Sequence, residues 1–495
     1  MNKEMTQTSY LNKIGDYSIE LPFQLNSQQI DALIKIDEFI HDPFYRTITL
    51  SGWAGTGKTT LMEIVRKRYK FSGPTIMFAA TTHKAAAVLK SKIGTDVSTV
   101  NSLFGIMIET DMDNDTFDVS KKKRVNEEHR LIQGSLVVID EASMISEENY
   151  NDVIDTCVDY NCKVIFIGDS AQLSPVNEND ISIVFRDDEI SNNVIELTHV
   201  ERTNDVPILN EATRVRTEGY LSYETNLNEQ GGVEYITGPE QLNKVIDEYI
   251  GGLKDDPNYF RILTYTNKNV NNLNTIIRKK LGYDGLLPQP GEPLMGYSNW
   301  KYIGRNRYEF INSESYTVIE TVEEEDKELR NVIDDYDGDL KLHITHIKIK
   351  NPLGKKQIIP YIDIKNNKSS IPGIELVCRK KIQLWREYKN IDKSTIYGRC
   401  TCKNILLQIN ALDDLLFVND NVIDAFGNLL QQKMVDFGYV HTIHKSQGST
   451  FENVLINDID IDNHCKDKKT RQQLRYVAVT RARNKVMILT NIKNH

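Results

Sequence analysis

Gly52-Trp53-Ala54-Gly55-Thr56-Gly57-Lys58-Thr59 decides the fold. It matches G-x-x-x-x-G-K-[ST], with the apolar run Thr47-Ile48-Thr49-Leu50 before it and a helical pattern from Thr59 to Tyr69 after it. Glycines in such a loop let backbone amides curl round a β-phosphate, the lysine reaches β and γ oxygens, and the Thr59 hydroxyl takes a place on Mg²⁺. A strand, a glycine loop and a helix therefore predict a nucleotide cradle built from residues 52 to 60, with Thr60 as its last member.

Three further apolar runs follow: Thr75-Ile76-Met77-Phe78-Ala79, Leu136-Val137-Val138-Ile139 and Lys163-Val164-Ile165-Phe166-Ile167. Near-continuous apolar runs of this length suit strands buried on both faces of a parallel sheet. With helical patterns between them, such as His83 to Ser91, they predict a doubly wound α/β domain whose ligands sit at the carboxyl ends of the strands. Two acidic segments end strands there. In Asp140-Glu141-Ala142-Ser143, Asp140 suits the metal shell and Glu141 suits polarising a water. In Gly168-Asp169-Ser170-Ala171-Gln172-Leu173, Gln172 is an uncharged amide suited to sensing a γ-phosphate.

Residues 106 to 131 interrupt the alternation with an acidic stretch and then Lys121-Lys122-Lys123-Arg124, which reads as a hairpin or a solvated loop. A second α/β pattern starts near residue 200, with a strand at 261–266 and a helix at 269–281. From about 330 the texture turns to period-two alternation, Leu340 to Thr345 and Gln357 to Ile362, around Asn351-Pro352-Leu353-Gly354. That predicts antiparallel β structure inserted into the second unit.

The chain has 495 residues, 40% hydrophobic and 26% charged, which excludes a small single module and a disordered or fibrous chain. No apolar run reaches membrane-spanning length and the start lacks a signal-peptide pattern, so a soluble, unexported, cytoplasmic protein is expected. Six cysteines without paired spacing read as reduced thiols rather than a metal site. The net charge of −10 argues mildly against nucleic acid, because phosphate binding is driven by Lys and Arg.

The motifs point the other way. Together with Ala80-Thr81-Thr82-His83-Lys84-Ala85-Ala86, His444-Lys445-Ser446-Gln447-Gly448-Ser449-Thr450-Phe451-Glu452 and Tyr476-Val477-Ala478-Val479-Thr480-Arg481, the segments above resemble the ordered motifs of superfamily 1 helicases. Leu25-Asn26-Ser27-Gln28-Gln29, Glu196 to Asn204 and Thr266 to Asn274 are similar to the SF1B, RecD-like and Dda-like branch.

The resemblance implies two RecA-like domains, with ATP and Mg²⁺ held between them. Domain 1A would span 1–200, with insertion 1B at about 104–132; domain 2A would span 201–330 and 432–495. A β-rich, SH3-like domain 2B would occupy 331–431. Gln29 would read the adenine, Gly448 and Glu452 would complete the nucleotide site, Thr59 and Asp140 would hold the metal, and Arg202 and Arg481 would be arginine fingers. Lys58, Glu141 and Gln172 would share the chemistry with them. Thr81, Thr82, His83, Lys84, Thr99, Asn101, Thr266, Asn267, Thr442, His444, Lys445, Ser446 and Gln447 would grip single-stranded DNA. Asn101 departs from the His that relatives often carry, which puts an imidazole contact in doubt there. The implied activity is an ATP-dependent DNA helicase moving 5′ to 3′ and unwinding forks or partial duplexes. Replication or recombination proteins are the implied partners, no membrane is involved, and a phage-encoded enzyme acting in a host cytoplasm fits. An RNA helicase of the same superfamily and a nucleotide-switched scaffold are the competing readings.

Overall fold

The computed structural model describes residues 24–491 except 71–72, 112–117, 125–128, 176–177, 179, 187–193, 202–205, 230, 255, 257, 284–286, 301–309, 334–335 and 393. Its first sheet is built from β1 (Thr47–Gly52), β2 (Ile76–Ala80) and β3 (Val97–Thr99). After a two-stranded excursion, β4 (Ile106–Asp111) and β5 (Asp118–Arg124), the sheet continues with β6 (Leu136–Asp140), β7 (Lys163–Gly168) and β8 (Val194–Leu197). The order is β3-β2-β6-β7-β1-β8, and every pairing is parallel.

Every residue of β1 is buried, as expected for a strand covered on both faces. One face packs on α1 (Ser27–His41), α2 (Lys58–Arg68) and α3 (His83–Ile93) through Ile36, Leu61 and Leu89. The other packs on α4 (Val100–Phe104) and α5 (Glu147–Asp159) through Phe104, Val153 and Phe166. The segment at 106–131 forms an antiparallel ladder with Ile106 opposite Arg124, and the turn between its strands lies outside the described residues.

Beyond α6 (Val206–Glu218) come β9 (Asn226–Asn228), β10 (Gly231–Thr237), α7 (Gly238–Tyr249), β11 (Phe260–Thr264) and α8 (Asn267–Lys280). The chain then leaves this unit. It forms β12 (Pro293–Gly296), β13 (Ser315–Glu328), β14 (Lys341–Lys350) and β15 (Lys356–Tyr361), then α9 (Ile371–Asn390) and α10 (Ile396–Asp413). The short strands β16 (Val422–Ile423), β17 (Leu429–Gln431) and β18 (Val435–Phe437) lead back to β19 (Val440–Thr442) and β20 (Phe451–Asn457). The chain ends with α11 (Asp458–His464), α12 (Lys468–Val479) and β21 (Ala482–Thr490). The second sheet runs β19-β11-β20-β21-β10-β9 and is parallel except at β9.

The inserted sheet, β15-β14-β13-β12-β18, is antiparallel throughout. It differs from the expected 331–431 in two ways. Strands at 293–296, 315–328 and 435–437 belong to it, so the sheet draws on sequence from both sides of that span. The span also holds two long helices: α9 and α10 bury Ile374, Val377, Ile405 and Ile409 against Leu342 and Ile344 of β14. The β period ends at Ile362, and beyond it apolar residues recur at helical spacing.

A buried ion pair joins the insert to the second sheet. The Arg278 fork on α8 donates Nε to Glu292 Oε1 (2.7 Å) and Nη2 to Oε2 (2.9 Å). Glu292 is fully buried, and Tyr439 Oη and the Gln289 amide also donate to it. Arg278→Met leaves that carboxylate buried without its cation, which should cost about 3–5 kcal/mol. Denaturant unfolding of the full chain checks this, and an unchanged midpoint would contradict it.

Candidate functional site: a cleft between the two parallel sheets

The phosphate loop joins β1 to α2 and depends on two left-handed glycines, Gly55 (φ 88°) and Gly57 (φ 84°). A Cβ at Gly57 would lie 2.7 Å from Gln29 Nε2, so a larger residue there would have to displace the Gln29 amide as well as adopt a left-handed backbone. Lys58 Nζ donates to the carbonyls of Gly52 (2.5 Å) and Trp53 (2.9 Å), folding over the loop. Burial lowers its pKa, against the opposing pull of Asp169, Asp140 and Glu141.

Asp140 ends β6, and its Oδ1 accepts the Glu141 amide at 2.9 Å. Glu141 adopts φ 55°, a left-handed conformation that costs a non-glycine residue energy and recurs at functional sites. Burial raises the pKa of both carboxyls, and at Glu141 the neighbouring Asp140 adds to the shift. Gln172 is buried with Oε1 lacking a hydrogen-bond partner, an acceptor oxygen left over in the cleft wall.

One cleft gathers Lys58, Thr59, Asp140, Glu141 and Gln172 from the first sheet. Facing them are Gly448, Ser449, Thr450, Thr480 and Arg481 from the second. Arg481 is buried, donating Nε to Val477 O (2.9 Å), Nη1 to Ser449 O (3.2 Å) and Nη2 to Thr480 Oγ1 (3.0 Å). Lys84 on α3 crosses the same boundary to Ser449 Oγ, and burial is the main reason its pKa falls to about 7.

The remaining expected residues separate. Ala54 and Gly55 line the cleft, whereas Gln29 lies behind the loop with both ends of its amide engaged: Nε2 donates to Thr56 O (3.1 Å) and Oε1 accepts the Asn26 amide (3.1 Å). Glu452 is not brought to the cleft lining; its oxygens accept from Arg483 (3.0 Å) and Asn484 (2.8 Å). Arg202 lies outside the described residues.

Of the expected DNA-gripping set, Thr82 and Thr99 cap α3 and α4 through their side chains. Thr266 caps α8 and hydrogen-bonds Asp460, which also accepts from Thr264, Asn269 and the amides of Tyr265 and Thr266. Ser446 is wholly buried and donates to Ile443 O at 2.7 Å. These hydroxyls hold the local backbone, because short polar side chains at helix starts satisfy otherwise free amides and carbonyls. Thr81 reaches back to Glu141 O (3.4 Å), and Thr442 Oγ1 accepts the Lys445 amide (3.4 Å). Asn101 lies within α4, Asn267 and His444 are exposed, His83 opens α3, and Gln447 Nε2 has no partner. Lys445 Nζ donates to Asn312 Oδ1 of the insert (2.7 Å), and burial lowers its pKa to about 8.

Three residues went unread in the sequence. Asp169, fully buried at the end of β7, pairs with Arg216 on α6 and accepts from Tyr476 Oη on α12 at 2.7 Å. Asp169 and Tyr476 sat inside quoted motifs; Arg216 carries no local signal.

Residues 24–237 match the family model of an AAA domain and residues 437–489 that of a UvrD-like helicase C-terminal domain. Among solved structures, the Pif1 helicase from Bacteroides in complex with ADP-AlF3 and ssDNA covers 92% of this chain and 91% of its own, with TM-score 0.46 and 16% identity. An uncharacterized protein of Acanthamoeba polyphaga mimivirus is 24% identical over 92% of this chain and 98% of its own length. The ATP-dependent DNA helicase dda of Enterobacteria phage T4 is 33% identical over 47% of this chain, a match spanning 52% of that enzyme. The first sheet and phosphate loop are thus matched by an AAA-domain model and the end of the chain by a UvrD-like helicase C-terminal model, and about half of the chain is similar to the phage Dda helicase.

Proposed function

We propose that the chain is an ATP-dependent DNA helicase that translocates on single-stranded DNA 5′ to 3′ and unwinds duplex at forks or partial-duplex ends. The observation that carries this reading is the shared cleft, in which the phosphate loop of one sheet faces Arg481 of the other. A cleft walled by two domains makes hydrolysis depend on how they close, which is how turnover becomes movement. The polarity rests on the resemblance to the RecD-like branch.

Thr59 and Asp140 line the cleft with hard oxygen donors, the set that suits Mg²⁺. Bound there, the ion would neutralise charge on the β and γ oxygens. Lys58 leaves its loop carbonyls for the same oxygens. Glu141 accepts a proton from the attacking water, a task favoured by its raised pKa. Gln172 orients that water, which donates to its unpaired Oε1, and Arg481 meets the charge that spreads over the transferred group. Lys84, His444, Lys445 and Gln447 grip DNA phosphates without reading bases.

Duplexes carrying a 5′ or a 3′ single-stranded tail test the reading. The 5′-tailed substrate should be unwound in the presence of ATP; unwinding of the 3′-tailed substrate alone would reverse the polarity, and ATP turnover stimulated by RNA but not DNA would favour an RNA enzyme. Lys58→Ala should abolish turnover by weakening nucleotide binding, whereas Glu141→Gln should still bind ATP and hydrolyse it at least about 100-fold more slowly. Near-wild-type turnover in both would contradict the site.

The Lys84 ammonium is present below its lowered pKa of about 7 and is lost as pH rises through it. The affinity advantage of wild type over Lys84→Met for single-stranded DNA should therefore shrink between about pH 6 and about pH 8. The substitution should also lower the salt slope by about 0.7 at the acid end. A ratio independent of pH would contradict the contact.

A further inference from the structure

Asp169, Arg216 and Tyr476 come from three separate parts of the chain and meet directly behind the phosphate loop. Asp169 directly follows β7 of the first sheet, Arg216 lies on α6, and Tyr476 lies on α12, five residues before Arg481. The Asp169 carboxylate is fully buried and accepts from Arg216 and the Ala171 amide on Oδ1 and from Tyr476 Oη on Oδ2. The Arg216 guanidinium is packed 5.1 Å from the centre of the Trp53 ring and 5.4 Å from that of Tyr476. The Ala54 amide donates to Tyr476 Oη at 3.4 Å. The turn after Asp169 is closed by the Gln172 amide on Asp169 O (3.0 Å), which sets Gln172 at the cleft wall.

From this geometry we infer that Asp169, Arg216 and Tyr476 form a positioning strut that fixes the spacing between the phosphate loop and the α12 segment bearing Arg481, so that ATP hydrolysis responds to DNA. The inference rests on the ATPase reading above. None of the three lines the cleft, so they act through Trp53, Ala54, Gln172 and Arg481. A planar guanidinium suits the task because it can bond the carboxylate at its edge and stack on two rings with its faces. Lysine keeps the charge and loses the planar packing against the two rings. A strut of this kind stabilises one closed arrangement, so its loss should be felt in kcat, where closure matters, more than in nucleotide affinity.

The test compares wild type, Tyr476→Phe, Arg216→Lys and the double variant, measuring ATP turnover with and without oligo-dT, equilibrium binding of ATP, and thermal unfolding. Tyr476→Phe and Arg216→Lys should each lower DNA-stimulated kcat roughly tenfold, as expected for a hydrogen bond to a buried charged group. ATP affinity should change less than about threefold, and the double variant should lose less than the product of the singles because both act on one carboxylate. Full DNA stimulation in both folded single variants, or a loss confined to ATP affinity or thermal stability, would overturn the strut while leaving the ATPase reading standing. Absence of ATP turnover in the wild type would overturn both.

Discussion

A phosphate loop is half a hydrolysis site. It offers backbone amides, one lysine and a hydroxyl, but charge spreading over a transferred phosphoryl group calls for cations on its far side as well. In this chain the far side belongs to another sheet: Arg481 follows α12, more than 400 residues after the loop it faces. The rest of the molecule is arranged around keeping these halves in register. Both sheets are parallel on their inner strands, so both present strand carboxyl ends and helix starts towards ligands. Lys84 crosses to Ser449, and Tyr476 crosses to Asp169 and Ala54.

Charge behaves differently at this boundary from its behaviour over the whole chain. The sum of −10 is taken over all 495 residues. In the cleft and beside it, Lys58, Lys84, Lys445 and Arg481 are drawn into a poorly solvated space, and burial lowers the pKa of the three lysines. Each such cation would gain a partner from an anion that entered the cleft or passed along its edge. A global charge sum cannot register such a groove.

The first sheet was legible because its strands are continuous apolar runs and its loop is a spacing motif; β1, β2, β6 and β7 lie within two residues of the runs read for them. The cleft residues Lys58, Thr59, Asp140, Glu141 and Gln172 were legible for the same reason, each sitting at a strand end or within the loop. Other parts were illegible for physical reasons. Arg216 is one arginine in an amphipathic helix, and its partners are 47 and 260 residues away. Asp460 accepts the amides of Tyr265 and Thr266, nearly 200 residues earlier in the chain. The insert draws its sheet from both sides of the expected span, so no change of texture marks its edges. Thr82, Thr99, Thr266 and Ser446 show that a motif hydroxyl can serve the backbone it stands on.

The proposed hydrolysis depends on Arg481 acting across the cleft on the reacting phosphate. Its most direct measurement is equilibrium ATP binding set beside single-turnover hydrolysis for Arg481→Ala on single-stranded DNA. Affinity should stay within a few-fold of wild type while hydrolysis slows by roughly 1,000-fold or more, the scale of an arginine finger. Hydrolysis of bound ATP at the wild-type rate would contradict it.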